Sequence, residues 1–234
     1  MGDPSTTPAA AEARRERLRA ARLYLVFSPH LCAGRDPLEV LERLLPEVDL
    51  LQVRVKPDGA APSEAAATRD WTRRVLGLCA PLGADAPLVV VNDRVDVART
   101  LLAEGCAGVH LGQGDMPPAA ARELLGPQAL IGLSTHDAAQ VVRAGDEPVD
   151  YLGFGPVHAT ATKGYTRGLG SEAAWVAAQA THLPVFPIGG IDALNAGELE
   201  DVGRAAVGAA LLAAADPARA ARELRALLAG GAGA

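Results

Sequence analysis

The chain is poor in aromatic residues, poor in cysteine and without long apolar runs. Aromatics make up 3% of its 234 residues while 49% are hydrophobic, so its core must be mostly aliphatic. No apolar stretch approaches the roughly 20 residues needed to cross a bilayer. The segment Met1–Arg22 carries small residues and an Arg/Glu-rich run, with no apolar signal core. A cytoplasmic protein without membrane contact is expected. Cys32, Cys79 and Cys106 are odd in number and lack metal-type spacing, which points to buried, reduced thiols. The net charge of −6 argues against a general nucleic-acid surface. The dinucleotide-binding turn G-x-G-x-x-G is absent after the first apolar run, which disfavours an open doubly wound sheet. There is also no Ser/His/Asp or Cys/His constellation for nucleophilic catalysis.

What the chain does have is regular alternation. Short apolar runs at Leu23–Phe27, Val48–Val53, Leu88–Val91, Ala107–Leu111, Ala129–Leu133, Val149–Phe154, Pro184–Ile188 and Ala205–Ala209 read as strands,. Segments with helical spacing separate them: Pro37–Leu45, Ser63–Ala80, Val95–Ala103, Pro117–Leu125, Asp137–Ala144, Ser171–Gln179, Asn195–Glu200 and Pro217–Leu228. Asp36 and Ser63 are placed as N-caps. Eight β→α units in order imply a parallel sheet closed on itself. The expected fold is α/β, a single (β/α)8 TIM barrel over residues 23–229,. Residues 1–22 are expected to be a tail, partly helical or disordered, and 230–234 a Gly/Ala tail,.

Barrels of this kind carry their chemistry at the C-terminal ends of the strands. Two of those ends hold carboxylates, in Asn92-Asp93-Arg94 and in Gly112-Gln113-Gly114-Asp115. Each aspartate alone reads equally well as a helix cap. Together they suit a hard cation such as Mg²⁺ that also holds a phosphate. The second strand ends in Gln52, Arg54 and Lys56, at i, i+2 and i+4, which share one face,. Cations pointing inward need an anion. A phosphate or diphosphate is preferred over an internal salt bridge to Asp93 or Asp96. His110 is read as a satisfied core histidine. Ser134 is left open between a cap and a substrate donor. The run Gly155–Gly164 is hydroxyl-rich with a lysine, and suits an oxyanion cradle or a plain connector. Gly189 and Gly190 would let backbone N–H groups approach a phosphate.

Taken together, the chain resembles the thiamine-phosphate synthase family from about Leu23 to Leu228. The shared pieces are Q-x-R-x-K at Gln52–Lys56, N-D-R-x-D-x-A at Asn92–Ala98, G-V-H-L-G-Q-x-D-M-P at Gly108–Pro117, I-G-x-S-T-H at Ile131–His136, G-P-V-x-x-T-x-T-K at Gly155–Lys163 and I-G-G-I at Ile188–Ile191. The resemblance implies a transferase of thiamine biosynthesis. It would join hydroxymethylpyrimidine diphosphate to thiazole phosphate, in many members a carboxylated one, giving thiamine phosphate and diphosphate. It implies that Gln52, Arg54, Lys56, Asn92, Ser134 and Lys163 hold the pyrimidine diphosphate. Asp93 and Asp115 would hold Mg²⁺, the expected cofactor. Thr160, Thr162 and Gly190 would hold the thiazole phosphate, with Gly189 beside them. Lys163, Arg54 and Ser134 are the candidate catalytic residues. The expected partners are these small molecules and, for oligomeric state, no more than an open possibility of a homo-oligomer.

The resemblance breaks in three places. Phe27-Ser28-Pro29 stands where the family has Thr-Asp. The segment Val202–Ala209 is shortened and lacks a serine that would serve the thiazole phosphate, Ala209 being nearest its place; Arg204 is a candidate to compensate. Tyr165-Thr166-Arg167 adds a cation to the loop after the sixth strand. The competing readings are a thiazole tautomerase-like paralogue, which typically lacks the N-D-R and Q-x-D-M-P segments, a non-catalytic phosphate-ligand binder, and an unrelated phosphosugar isomerase on the same scaffold.

Overall fold

The structure is a computed structural model and describes residues 8–55, 63–160 and 166–230. Its centre is a parallel sheet of β1 (Leu23–Phe27), β2 (Leu50–Val53), β3 (Leu88–Asn92), β4 (Gly108–Leu111), β5 (Leu130–Thr135), β6 (Tyr151–Phe154), β7 (Val185–Pro187) and β8 (Ala205–Val207). Each strand pairs with the next in sequence through β7. Strand β8 pairs back onto β1, and a parallel bridge between Ile188 and Ala206 closes the ring. The expected (β/α)8 barrel is therefore the observed fold.

Helices α1 (Pro8–Ala20), α2 (Pro37–Leu44), α3 (Glu64–Cys79), α4 (Val95–Leu101), α5 (Pro118–Leu125), α6 (Ala138–Ala144), α7 (Ser171–Gln179), α8 (Ala209–Leu212) and α9 (Pro217–Leu228) accompany the strands. The caps follow side-chain chemistry. Asp36 accepts from the Leu38 N–H, Ser63 from that of Ala66 and Asp137 from that of Gln140, each satisfying a donor that the helix cannot. The segment expected as a helix near Asn195–Glu200 is a single 3₁₀ turn, Ala196–Leu199.

Strand alternation sorts the side chains into two cores. Leu25, Leu51, Val89, Val91, Val109, Ile131 and Leu152 face outward and pack beneath the helices. Tyr24, Leu50, Leu88, Val90, Leu130, Tyr151, Phe186 and Ala206 face inward and fill the barrel. The aliphatic composition suits the outer layer. Much of the small aromatic complement is spent inside, in edge-on contacts between Tyr24, Tyr151 and Phe186 with ring centroids 5.4 to 5.8 Å apart.

The floor of the barrel is closed by α1, in the segment expected as a tail. Ala11, Arg14, Arg15 and Leu18 lie at i, i+3, i+4 and i+7, one face of the helix. Leu18 and Ala21 are buried with the inner core. Arg14 donates to the Gln128 carbonyl, Arg15 to Asp150 and the Pro127 carbonyl, and Arg17 to the Ala86 carbonyl. The arginine-rich run that masks the apolar stripe in the sequence thus supplies the donors that fasten this helix to the loops below β3, β5 and β6.

Candidate active site

At the opposite, C-terminal face the strands open into a cavity of about 950 Å³. Gln52, Arg54, Asn92, Asp93, Asp115 and Ser134 line it from the ends of β2 to β5 and the residues that follow them. Thr160, Gly189 and Gly190 line it from the segments after β6 and β7. Nine of the residues singled out in the sequence are therefore brought to one cavity. Lys56, Thr162 and Lys163 lie outside the described residues.

Arg54 follows directly on β2 and is 9% exposed. Among the described residues it makes no ion pair. The alternative partners are otherwise engaged: Asp96 pairs with Arg94 at 2.5 Å, and Asp93 faces Asp115. Burial lowers the Arg54 pKa, against the opposing pull of Asp93 and Glu64. A desolvated guanidinium that lines a cavity without a bonded carboxylate is an anion site in waiting.

The two aspartates do not cap helices. Asp93 precedes α4, whose N-cap is Arg94 without a side-chain bond, and α5 is entered through Pro117. Asp93 instead adopts φ 59°, in the left-handed region that few residues other than glycine occupy,. Its backbone N–H is bonded to the His110 carbonyl at 2.8 Å and its carboxylate accepts from the Asn92 amide at 2.5 Å. Asp115 accepts from the Gly112 N–H at 2.7 Å. Burial first, and then the neighbouring Asp115, push the Asp93 carboxyl up to about 6, against the pull of Asn92 and Arg54. Burial and the neighbouring carboxylate both disfavour the charged form of Asp93,.

Ser134 lies within β5 and does not cap α6, whose cap is Asp137. Its Oγ is 3.0 Å from His110 Nε2, and its carbonyl accepts from Gln113 at 2.6 Å. His110 is a satisfied histidine, with Nδ1 3.2 Å from the Tyr151 hydroxyl, yet its ring also lines the cavity. His136, which ends the I-G-x-S-T-H segment but has no role assigned from the sequence, is a second lining histidine. Its Nδ1 is 2.6 Å from the Gly155 carbonyl, so Nδ1 carries a proton in that bond.

Gly189 and Gly190 turn the chain after β7 with φ of 104° and 64°. A Cβ on Gly189 would lie 2.7 Å from Pro156, and one on Gly190 would lie 2.4 Å from the Ala159 carbonyl. Only glycine lets the two segments meet. Asn195 holds this turn from below. Its amide donates to the Gly190 carbonyl at 2.8 Å and accepts from the Asp192 N–H at 3.0 Å. In the sequence Asn195 stands out only as the first residue of the segment Asn195–Glu200 expected to be helical.

Two departures from the family pattern are resolved. Ser28, where Thr-Asp was expected, lines the cavity and donates to the Arg54 carbonyl at 2.7 Å, tying the ends of β1 and β2 together. Arg204 does not compensate for the missing serine. It precedes β8, so it lies at the floor, where it donates to the Arg19 carbonyl and sits 5.5 Å from the Phe186 ring centre. Its position at the start of a parallel strand directs it away from the mouth. Gly208, Ala209 and Ala210 line that end of the cavity in place of a hydroxyl.

Among the described residues no group of three or more His, Cys, Asp or Glu side chains is arranged to hold a metal, and no helix is long and apolar enough to cross a membrane. The sequence profile of the family described as thiamine monophosphate synthase matches residues 23–214. The thiamine-phosphate synthase of Laribacter hongkongensis is 45% identical over 215 residues, covering 88% of this chain and 94% of that protein. That of Gloeobacter violaceus is 44% identical over 210 residues, and there the chain spans only 57% of the relative's length. The solved thiamine phosphate pyrophosphorylase from Pyrococcus furiosus superposes with a TM-score of 0.74 at 28% identity, covering 94% of this chain and 99% of that one. The chain belongs to the thiamine monophosphate synthase family.

Proposed function

We propose that this chain joins 4-amino-2-methyl-5-hydroxymethylpyrimidine diphosphate to thiazole phosphate, or to its carboxylate with loss of CO₂, releasing diphosphate. The observation that carries the reading is the presence, in one cavity, of a buried guanidinium, Arg54, that makes no ion pair among the described residues, beside two facing carboxylates, Asp93 and Asp115. A diphosphate needs cations, and two carboxylates side by side need one as well.

Gln52, Asn92 and Ser134 would hold the pyrimidine half, with Arg54, Lys56 and Lys163 around its diphosphate. Thr160 and Thr162, with the backbone N–H groups after β7, would hold the thiazole phosphate. In the reaction the bond from the pyrimidine methylene carbon to oxygen breaks and its electron pair leaves with the diphosphate. The thiazole nitrogen lone pair then forms the new C–N bond. This nitrogen carries no proton, so its attack requires no general base. The residues' task is to neutralise the departing charge and align the two rings.

The donor set of Asp93 and Asp115 is oxygen only and negatively charged, which fits Mg²⁺, a cation usually held by one or two carboxylates plus substrate phosphates. When bound, Mg²⁺ would supply further charge neutralisation at the diphosphate. Incubating purified protein with both substrates and Mg²⁺, and following thiamine phosphate by mass, tests the reading. Absence of product while pyrimidine diphosphate still binds would favour a non-catalytic binder.

A further inference from the structure

Beneath the cavity a line of polar groups crosses the otherwise apolar barrel interior. The Gln52 side-chain amide donates to the Tyr24 hydroxyl at 2.6 Å. The Tyr24 and Tyr151 hydroxyls are 3.2 Å apart. Tyr151 meets His110 Nδ1 at 3.2 Å, and His110 Nε2 meets Ser134 at 3.0 Å. Both phenols are buried, at 1% and 0% exposure. The line ends at Gln52 and Ser134, which are two of the residues that line the cavity.

The backbone is shaped for it. A Cβ on Gly132 would lie 2.2 Å from the Tyr151 ring and 2.4 Å from His110 Nδ1, and one on Gly153 would lie 3.3 Å from His110. Two glycines on adjacent strands thus leave the space that this histidine and tyrosine occupy. Phe186 packs edge-on against both tyrosines from below.

The orientation of the Gln52 amide gives the line a direction, and proton counting carries it along, with His110 neutral. A tyrosine hydroxyl has one proton to donate, and a neutral imidazole has one donor nitrogen and one acceptor. Tyr24 accepts from Gln52, so it gives its own proton to Tyr151. Tyr151 gives its proton to His110 Nδ1, which leaves the imidazole proton on Nε2, donated to Ser134. The Ser134 proton is then free for the cavity. At the other end one N–H of the Gln52 amide goes to Tyr24, which turns the amide so that its carbonyl oxygen, with no donor among the described residues, is left to accept from the cavity. Burial raises both phenol pKa values, so neither hydroxyl loses its proton near neutral pH.

We propose that Tyr24, Tyr151 and His110 are positioning residues that act as a one-way specificity relay. They fix Gln52 as an acceptor and Ser134 as a donor toward the cavity, so that the site selects a heterocycle bearing an exocyclic amino group and rejects the oxo form of the same ring. The inference rests on the pyrimidine-diphosphate reading above and adds to it the group that the site reads. A site built to pair one polar pattern rejects the reversed pattern strongly, because its own buried groups are otherwise left unpaired.

The test is the ratio of dissociation constants for the 4-amino and 4-oxo forms of the hydroxymethylpyrimidine diphosphate, by calorimetry with Mg²⁺ and without thiazole phosphate. A ratio within one protein does not depend on how much of the sample is folded. Wild type is expected to favour the amino form by about 100-fold or more. In Tyr151→Phe, Tyr24 loses its acceptor and can donate to the Gln52 carbonyl instead, reversing the amide. The ratio is therefore expected to fall about tenfold or more, although Tyr151 does not bond to Gln52. Tyr24→Phe is expected to lower it likewise. A purely structural role would weaken both ligands together and leave the ratio as in wild type, which would overturn the relay. A wild type that prefers the oxo form would overturn its direction. If wild type makes product from the amino form but the variants keep its ratio, the relay alone fails. If wild type binds neither ring, the functional reading fails and the relay with it.

Discussion

Asp93 and Asp115, which follow the neighbouring strands β3 and β4, bring their carboxyl groups together at the C-terminal face of the barrel. Asp93 reaches that position through a left-handed backbone. Asparagine tolerates this conformation better than most residues, so Asp93→Asn removes the charge while keeping the turn. We expect Asp93→Asn and Asp115→Asn each to lower turnover by about 100-fold or more and to raise the Mg²⁺ concentration needed for half-maximal rate. Thermal melting should show the fold retained. Unchanged Mg²⁺ dependence in both variants would remove the pair from metal binding.

Lys163→Ala is expected to reduce turnover by at least about 100-fold with an unaltered circular dichroism spectrum. Its role as a cation for the leaving diphosphate would be refuted by near-normal activity.

The two bonds from Asn195 to the turn that carries Gly189 and Gly190 give a separable prediction. Asn195→Ala should raise KM for thiazole phosphate by about tenfold, as expected for lost hydrogen bonds, and leave KM for the pyrimidine diphosphate near wild type. Arg204→Met should change neither, since Arg204 lies at the floor beside Phe186. Steady-state kinetics with each substrate varied in turn check both. A large rise in thiazole-phosphate KM in Arg204→Met would contradict its placement.

Leu18 anchors α1 to the inner core at 1% exposure. Truncating it to alanine should cost about 2–5 kcal/mol of stability, seen as a lower denaturant midpoint. Because the cavity lies at the opposite face, both KM values should stay close to wild type in the folded fraction. An undiminished midpoint would mean that the helix contributes little to closing the floor.

The alternation of strands and helices was legible in the sequence because buried parallel strands are short apolar runs, and the turns between them carry polar caps such as Asp36 and Asp137. The lining of the cavity was legible for the same reason: a polar residue at the end of such a run has few other places to go. Gln52, Asn92 and Ser134 follow this rule. What stayed hidden depends on neighbours far away in the chain. The α1 stripe is diluted by arginines whose acceptors lie more than a hundred residues downstream for Arg14 and Arg15. His110 is the satisfied core histidine expected, but its partners could not be read along the chain, because Tyr151 and Ser134 come from two other strands. Arg204 looked like a phosphate ligand until the direction of β8 placed it at the floor.

The most direct test of the central claim is to measure thiamine phosphate and diphosphate together, with purified protein, Mg²⁺ and both substrates. The account predicts equimolar formation of the two products, dependent on Mg²⁺ and on the thiazole phosphate, and lost in Asp93→Asn. Tight binding of the pyrimidine diphosphate with neither product formed, under conditions where the protein is folded, would contradict it.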